Sequence, residues 1–216
     1  MKARVLLLIA GLLATASAAT GGCQSGGVGD PCTPEDEYLE TFSGFAATEV
    51  NLESRSFQCE TRVCLVNHFR GRVSCPLGQS AATAQTEGAK PETDAGEACR
   101  IPGSKTPVTV AVQPQCRTRT ADRAVYCSCR CAGPDGAKDD GGQYCDCPDG
   151  YSCQEFKDFN VGEFVGSGQL QLRGSYCVKN DTQYIPGSCS QGQDVSQASD
   201  PCRAGDAECG GVTANP

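Results

Sequence analysis

The sequence predicts a mainly β, irregular, small disulfide-rich fold with few or no helices after the signal peptide. Three observations carry that expectation. The 216 residues include 17 Cys. The 26 Gly and 12 Pro interrupt every run long enough to make a regular domain, while there is no Trp and only 7 Phe and 6 Tyr to fill a core. The apolar residues that remain fall in short alternating runs between turn residues, which is the strand pattern. A chain built this way invests little in apolar burial and relies on crosslinks, each contributing about 2–4 kcal/mol by restricting the unfolded chain.

The N-terminus sets the compartment. Lys2 and Arg4 precede an uncharged run, Val5 to Ala14, followed by small residues up to Gly22. That is a secretory signal, residues 1–22, and its apolar run is shorter than the about 20 residues a membrane span requires. Two cleavage sites compete. Ala16-Ser17-Ala18 fits the ordinary signal-peptidase rule, with a cut before Ala19. Thr20-Gly21-Gly22-Cys23 instead resembles the lipobox of bacterial lipoproteins, with Thr20 where the family carries a bulky aliphatic residue. The resemblance implies lipidation of Cys23, a membrane partner reached through that anchor, and, because Gln24 is not Asp, the outer membrane. The chain as a whole resembles cysteine-rich bacterial surface lipoproteins of unassigned function. Without lipidation it is a secreted protein.

Parity favours the lipid. An odd number of cysteines leaves one unpaired in an oxidising compartment. Lipidating Cys23 leaves Cys32, Cys59, Cys64, Cys75, Cys99, Cys116, Cys127, Cys129, Cys131, Cys145, Cys147, Cys153, Cys177, Cys189, Cys202 and Cys209 as disulfide candidates with unassigned partners. These sixteen cysteines allow about two million pairings.

Along the mature chain, residues 23–47 read as lipid anchor and tether, flexible over 24–31 and with one helical turn somewhere in the acidic and aromatic stretch from Cys32 to about Ala47. Residues 48–78 form an N-terminal β/Cys segment. Within it, Arg62 to Arg70 alternates so that Val63, Leu65 and Phe69 share one strand face while Arg62, His68 and Arg70 share the other. A hairpin turn at 67–71 is the alternative. Residues 79–98 carry no aromatic, no β-branched aliphatic and no Cys, and read as a linker or long loop. Residues 99–189 form the disulfide-rich β core, with strands at 107–112 and 124–131 and weaker candidates at 169–172 and 175–178. Residues 190–216 read as a mobile tail pinned by one bridge.

The densest motif is Cys127-Ser-Cys129-Arg-Cys131, followed by Cys145-Asp-Cys147 and Cys153. Cysteines at i, i+2 and i+4 of a strand point in parallel, which is poor geometry for bonding one another. They are expected to reach three different partners and make this strand the hub of the crosslinks. A soft-metal thiolate cluster is the sharper alternative. No two cysteines are separated by two residues, which removes zinc ribbons, thioredoxin-type exchange and c-type haem attachment. Cys145-Asp-Cys147-Pro-Asp-Gly150-Tyr151-Ser-Cys153 resembles the C-x-C-x-x-G-[YF] end of EGF-like modules, implying a glycine turn and an aromatic packed on crossing bridges, though only one residue separates Tyr151 from Cys153.

Charge narrows the function. The net charge of −8 becomes about −10 once residues 1–22, with Lys2 and Arg4 and no acid, are removed. Nucleic acid is excluded as a partner, since it demands a basic surface. Against that background Arg62, His68, Arg70 and Arg72 form a local positive cluster, a candidate site for the anionic group of a glycan or a protein. His68, the lone histidine, cannot build a multi-His metal site, and no G-x-S-x-G is present. Asp135, Asp139, Asp140, Asp146 and Asp149 crowd a glycine-rich stretch that could hold calcium, yet no EF-hand spacing occurs; otherwise no cofactor and no metal is expected. The chain leans away from catalysis. A non-enzymatic envelope module for surface binding, adhesion or structure is the first expectation. A carboxylate-based extracytoplasmic hydrolase and an extracellular enzyme inhibitor are the alternatives.

Overall fold

The computed structural model describes residues 26–84, 98–156, 172–187 and 189. Cys23, Cys202, Cys209, the signal segment, most of the 79–98 stretch, 169–171 and the tail lie outside the described residues.

The fold is mainly β, irregular and heavily crosslinked. Among the described residues, six short strands make two three-stranded antiparallel sheets. The first orders β1 (Val50–Glu53), β2 (Val63–Asn67) and β3 (Val125–Ser128) as β1-β2-β3. The second orders β4 (Arg130–Ala132), β6 (Gly174–Lys179) and β5 (Tyr151–Phe156) as β4-β6-β5. Since β1 and β2 come from the 48–78 segment and β3 from the 99–189 segment, one sheet unites both.

The expected single strand over 124–131 is two strands. Its alternation is interrupted at Cys129, and the run passes there from one sheet to the other. The two sheets are stitched across this crossing: the Ser128 hydroxyl donates to the Cys177 carbonyl, the Cys177 N–H donates to the Cys129 carbonyl, and the Tyr126 hydroxyl accepts from the Lys179 N–H. A cluster of Val50, Leu52, Leu65, Tyr126, Tyr176 and Val178 is buried between them. On the other face of the first sheet, Phe45, Val66, Phe69 and Val125 pack with Cys32, Cys59, Cys64 and Cys127.

Strand β2 ends at Asn67, three residues short of the expected alternation to Arg70. His68 takes φ 52°, a left-handed conformation that reverses the side-chain sense. Phe69 therefore packs with Val66 and Cys64 rather than with Leu65. Arg62, at φ 66°, bounds the strand at its other end.

Residues 107–112 do not join a ladder either. The alternation is real, with Val108 and Val112 buried, but among the described residues no strand lies alongside, only single bridges from Pro107 to Arg100 and from Val112 to Gln79. Instead the backbone is satisfied piecemeal: Val108 N–H donates to Cys99, Thr109 N–H to Glu40 and Val112 N–H to Gln79. The buried Gln79 amide donates to the carbonyls of Val108 and Val110 and accepts from the Cys99 N–H. One side chain thus does the work of a neighbouring strand, and the first residue of the expected linker is a core residue.

The tether reading fails from Gly26 onward. Gly26 N–H donates to Gln58 and its carbonyl accepts from Glu60, while Gly29 and Asp30 exchange hydrogen bonds with Cys127. This segment is fastened to β3. The helical turn is present as a 3-10 turn, Glu35–Tyr38. β5 was not expected as a strand; the glycine turn before it was, with Gly150 at φ 85° and Tyr151 packed on the crossing bridges.

All fourteen described cysteines are paired: Cys32–Cys64, Cys59–Cys127, Cys75–Cys99, Cys116–Cys189, Cys129–Cys145, Cys131–Cys153 and Cys147–Cys177. Cys127, Cys129 and Cys131 reach three different partners. The second sheet gathers the last three bridges, and the Cys177 sulfur lies 3.5 Å from that of Cys129 and 3.8 Å from that of Cys145.

Where strands are this short, buried polar side chains hold the loops. Arg72, fully buried, donates to the carbonyls of Glu37, Leu39 and Phe42. Arg119, 2% exposed, donates to the carbonyls of Asn67, His68 and Thr182. Gln115 joins the Arg72 carbonyl to the Ala121 N–H. A buried backbone group without a partner is costly, and guanidinium, with five donors in a plane, can satisfy several carbonyls at once.

A cleft on the first sheet

The candidate site is an open cleft of about 420 Å³, its mouth included, between the 3-10 turn and the edge strand β1. Pro34, Glu35 and Asp36 line one wall, Asn51 through Arg55 the other, and Phe45 and Val66 lie at its apolar base.

Local chemistry builds both walls. The Cys32–Cys64 bridge ties the approach to the turn onto β2. Glu37 faces inward, where its carboxylate accepts the N–H groups of Val73 and Ser74, and Arg72 clamps the carbonyls that follow. Burial pushes the Glu37 carboxyl up despite these hydrogen bonds. Behind the cleft, Gly44 (φ 100°) and Gly71 (φ 88°) bring two backbones together; a Cβ on Gly71 would sit 2.3 Å from the Gln113 carbonyl oxygen.

Alternation along β1 sends Val50 and Leu52 into the core between the sheets and Asn51 and Glu53 to the cleft face. Asn51 stands opposite Val66 in the register. Its side-chain nitrogen is buried and finds no hydrogen-bond partner among the described residues. Glu53 accepts from the Glu35 N–H at 3.0 Å, closing the two walls against each other. Its carboxyl is pushed up, first by burial and then by the like charges of Glu35 and Asp36, against the pull of that hydrogen bond. Glu35 and Arg55 approach to 4.0 Å at the exposed rim, a separation that contributes little in water.

The basic residues singled out in the sequence are placed elsewhere and serve different segments. Arg72 is the clamp just described. Arg70 donates to the carbonyls of Pro114 and Cys189. His68 hydrogen-bonds the Ala47 carbonyl at 3.0 Å through Nδ1 and stacks on Tyr184 at 4.5 Å, and burial holds its pKa below the ordinary range. Arg62 lies over the exposed ring of Phe57. The guanidiniums of Arg70 and Arg72 are committed to main-chain carbonyls rather than turned toward a shared anion.

The acidic stretch is likewise partly occupied by its own chain. The Tyr144 hydroxyl donates to both oxygens of Asp140, which also accepts from the Gly142 N–H; these hydrogen bonds hold the Asp140 carboxyl down. Among the described residues, the only groups of three side chains close enough to share a metal ion are cysteines, and each of those cysteines is in a disulfide. No described helix is long and apolar enough to cross a membrane.

Glu35, Asn51 and Glu53 were not singled out in the sequence. The available signal was a strand with polar residues on one face, Asn51 and Glu53, beside an acidic turn. The chain matches no protein-family model, and no curated protein or solved structure matches it.

Proposed function

We propose that the protein is an exported envelope lipoprotein that binds a partner through its crosslinked outer domain, without catalysis. The single observation supporting this most directly is the disulfide inventory. Seven bridges account for fourteen cysteines, leaving Cys23, Cys202 and Cys209 of the seventeen. Lipid on Cys23 restores parity. Such bridges belong to an oxidising compartment, and they fix a cleft on loops that have little regular structure of their own. Gly26 is already hydrogen-bonded into the fold, so a lipid on Cys23 would hold the domain within about 10 Å of the membrane surface, the reach of three extended residues. The proposed location is the outer membrane.

Intact mass of protein from its native cell, before and after reduction, tests the compartment reading. It is expected to show an acylated Cys23 N-terminus and eight bridges; an unmodified chain starting at Ala19, or many free thiols, refutes it. Binding is tested with a Cys23→Ala mature chain as bait. It should retain a partner that a Cys32→Ser/Cys64→Ser variant, with one wall of the cleft released, loses.

Glu53 supports one second reading. A carboxyl raised by burial beside other carboxylates is the arrangement of a general acid in glycoside hydrolysis. Hydrolysis of a polysaccharide or peptidoglycan panel, abolished by Glu53→Gln, would favour it over the binding module.

A further inference from the structure

We propose that the cleft captures a lysine or arginine side chain presented on an extended segment of a partner protein, which deepens the binding-module reading and rests on it. The apolar base supplied by Phe45 and Val66 suits the aliphatic stem of such a side chain, and Glu35, Asp36 and Glu53, which outnumber the one cation Arg55 at the same rim, receive its charged head. Charge complementarity extends beyond the cleft, because the mature chain is acidic overall.

Asn51 provides the second, independent observation. It is 9% exposed, shares the cleft face with Glu53, and its Nδ2 has no hydrogen-bond partner among the described residues. A buried donor left unpaired costs about 1–3 kcal/mol. A carbonyl oxygen from the incoming segment, met by rotation of the amide about its broad χ2, would satisfy it. The ligand therefore carries a cation and, close by, an acceptor, as a basic residue in a peptide does.

The geometry disfavours the other cation classes. The three carboxylates do not form one of the close-set groups that could share a metal ion, whereas calcium takes six to eight oxygens at about 2.3–2.6 Å. An amino sugar would stack on an open aromatic face, but Phe45 is 5% exposed and its ring already meets Phe42 edge-on at 4.8 Å and Phe69 at 6.5 Å. β1 is the edge of its sheet, and among the described residues no main-chain group pairs with the outer side of Asn51–Glu53. An extended peptide can add there as a further strand while its side chain enters the cleft.

Calorimetric titration of the oxidised mature chain carrying Cys23→Ala tests the proposal. The probes are an acetylated and amidated Thr-Val-Lys-Val-Thr peptide, its norleucine counterpart, a glucosamine oligomer and calcium chloride. The lysine peptide should bind at least about tenfold tighter than the norleucine peptide, and Glu53→Gln and the exposed-rim variant Glu35→Gln should each weaken it by about tenfold. Equal affinity for the two peptides, indifference to both variants, or tighter binding of the glucosamine oligomer or of calcium overturns the proposal. Silence from every probe beside a retained partner in the bait experiment sinks the cleft assignment alone. Silence together with no captured partner sinks the binding-module reading as well.

Discussion

Replacing Arg119 with methionine removes a positive charge from the interior and would be neutral or favourable if the guanidinium were a burden there. The structure says otherwise. Nε donates to the His68 carbonyl at 2.8 Å, and the two Nη atoms donate to Thr182 and Asn67, so one side chain ties the end of β2 to the segment after β6. A hydrogen bond from a charged donor contributes about 1.5–3 kcal/mol, and each buried acceptor left unpaired costs about 1–3 kcal/mol. Three such bonds are not additive, and the methionine regains some apolar burial, so the expected loss is about 3–5 kcal/mol. Lysine keeps the charge but not the planar fork and should recover less than half. Guanidinium chloride unfolding with all bridges oxidised, followed by circular dichroism, measures both variants. A loss under about 1 kcal/mol for methionine, or a lysine variant as stable as the native chain, would refute the idea that buried guanidinium replaces a sheet ladder here.

Three further outcomes are expected from the same physics. The Cys59–Cys127 and Cys129–Cys145 bridges close 68 and 16 residues; with Cys75–Cys99 and Cys131–Cys153 intact these loops shrink to about 45 and about 10 residues, so paired Cys→Ala replacement should cost about 4.0 and about 2.7 kcal/mol respectively. The reverse order in denaturant titrations would count against chain entropy as their main contribution. Gly71→Ala combines a left-handed backbone with a contact against the Gln113 carbonyl and should cost about 2–5 kcal/mol by the same measurement, whereas alanine at Gly103, also left-handed but with open space around it, should cost only about 1–2 kcal/mol. Burial raises the Glu37 carboxyl, so its contribution to stability is fully present below about pH 4.5, its ordinary value, and is lost as pH rises through the raised one. The difference in unfolding free energy between the native chain and Glu37→Gln should therefore fall as pH rises above 4.5. His68, lowered by burial, acts oppositely, with its stabilisation lost as pH falls below about 6.5, which a His68→Gln comparison isolates. A flat difference in either pH series would show that the group's burial is not retained in solution.

Some of this architecture was legible because it is local. Alternation marked strands over 62–70 and 124–131, stretches that contain the observed Val63–Asn67 and Val125–Ser128, since side chains two apart share a face whatever lies alongside. The spacing of Cys127, Cys129 and Cys131 forbade their pairing with one another for the same reason. Residues 107–112 show the limit. Their alternation is a property of the segment, but a ladder needs a neighbour, and here the neighbour is the Gln79 side chain. Likewise Arg70 and Arg72 read as a positive patch because sequence proximity says nothing of which carbonyls lie within reach of each fork.

The residues alone determined the class of solution: many cysteines, frequent turns and few large apolar groups restrict the chain to short strands joined by covalent bonds, and those are composition-level constraints. Only the tertiary structure decided which sulfurs meet, that one cysteine-rich run crosses from one sheet to another at Cys129, and that an acidic turn faces Asn51 and Glu53 across a cleft. Each of those outcomes is a pairing between segments tens of residues apart. Chain connectivity permits very many such pairings, and simultaneous satisfaction of backbone groups, bridges and core selects among them.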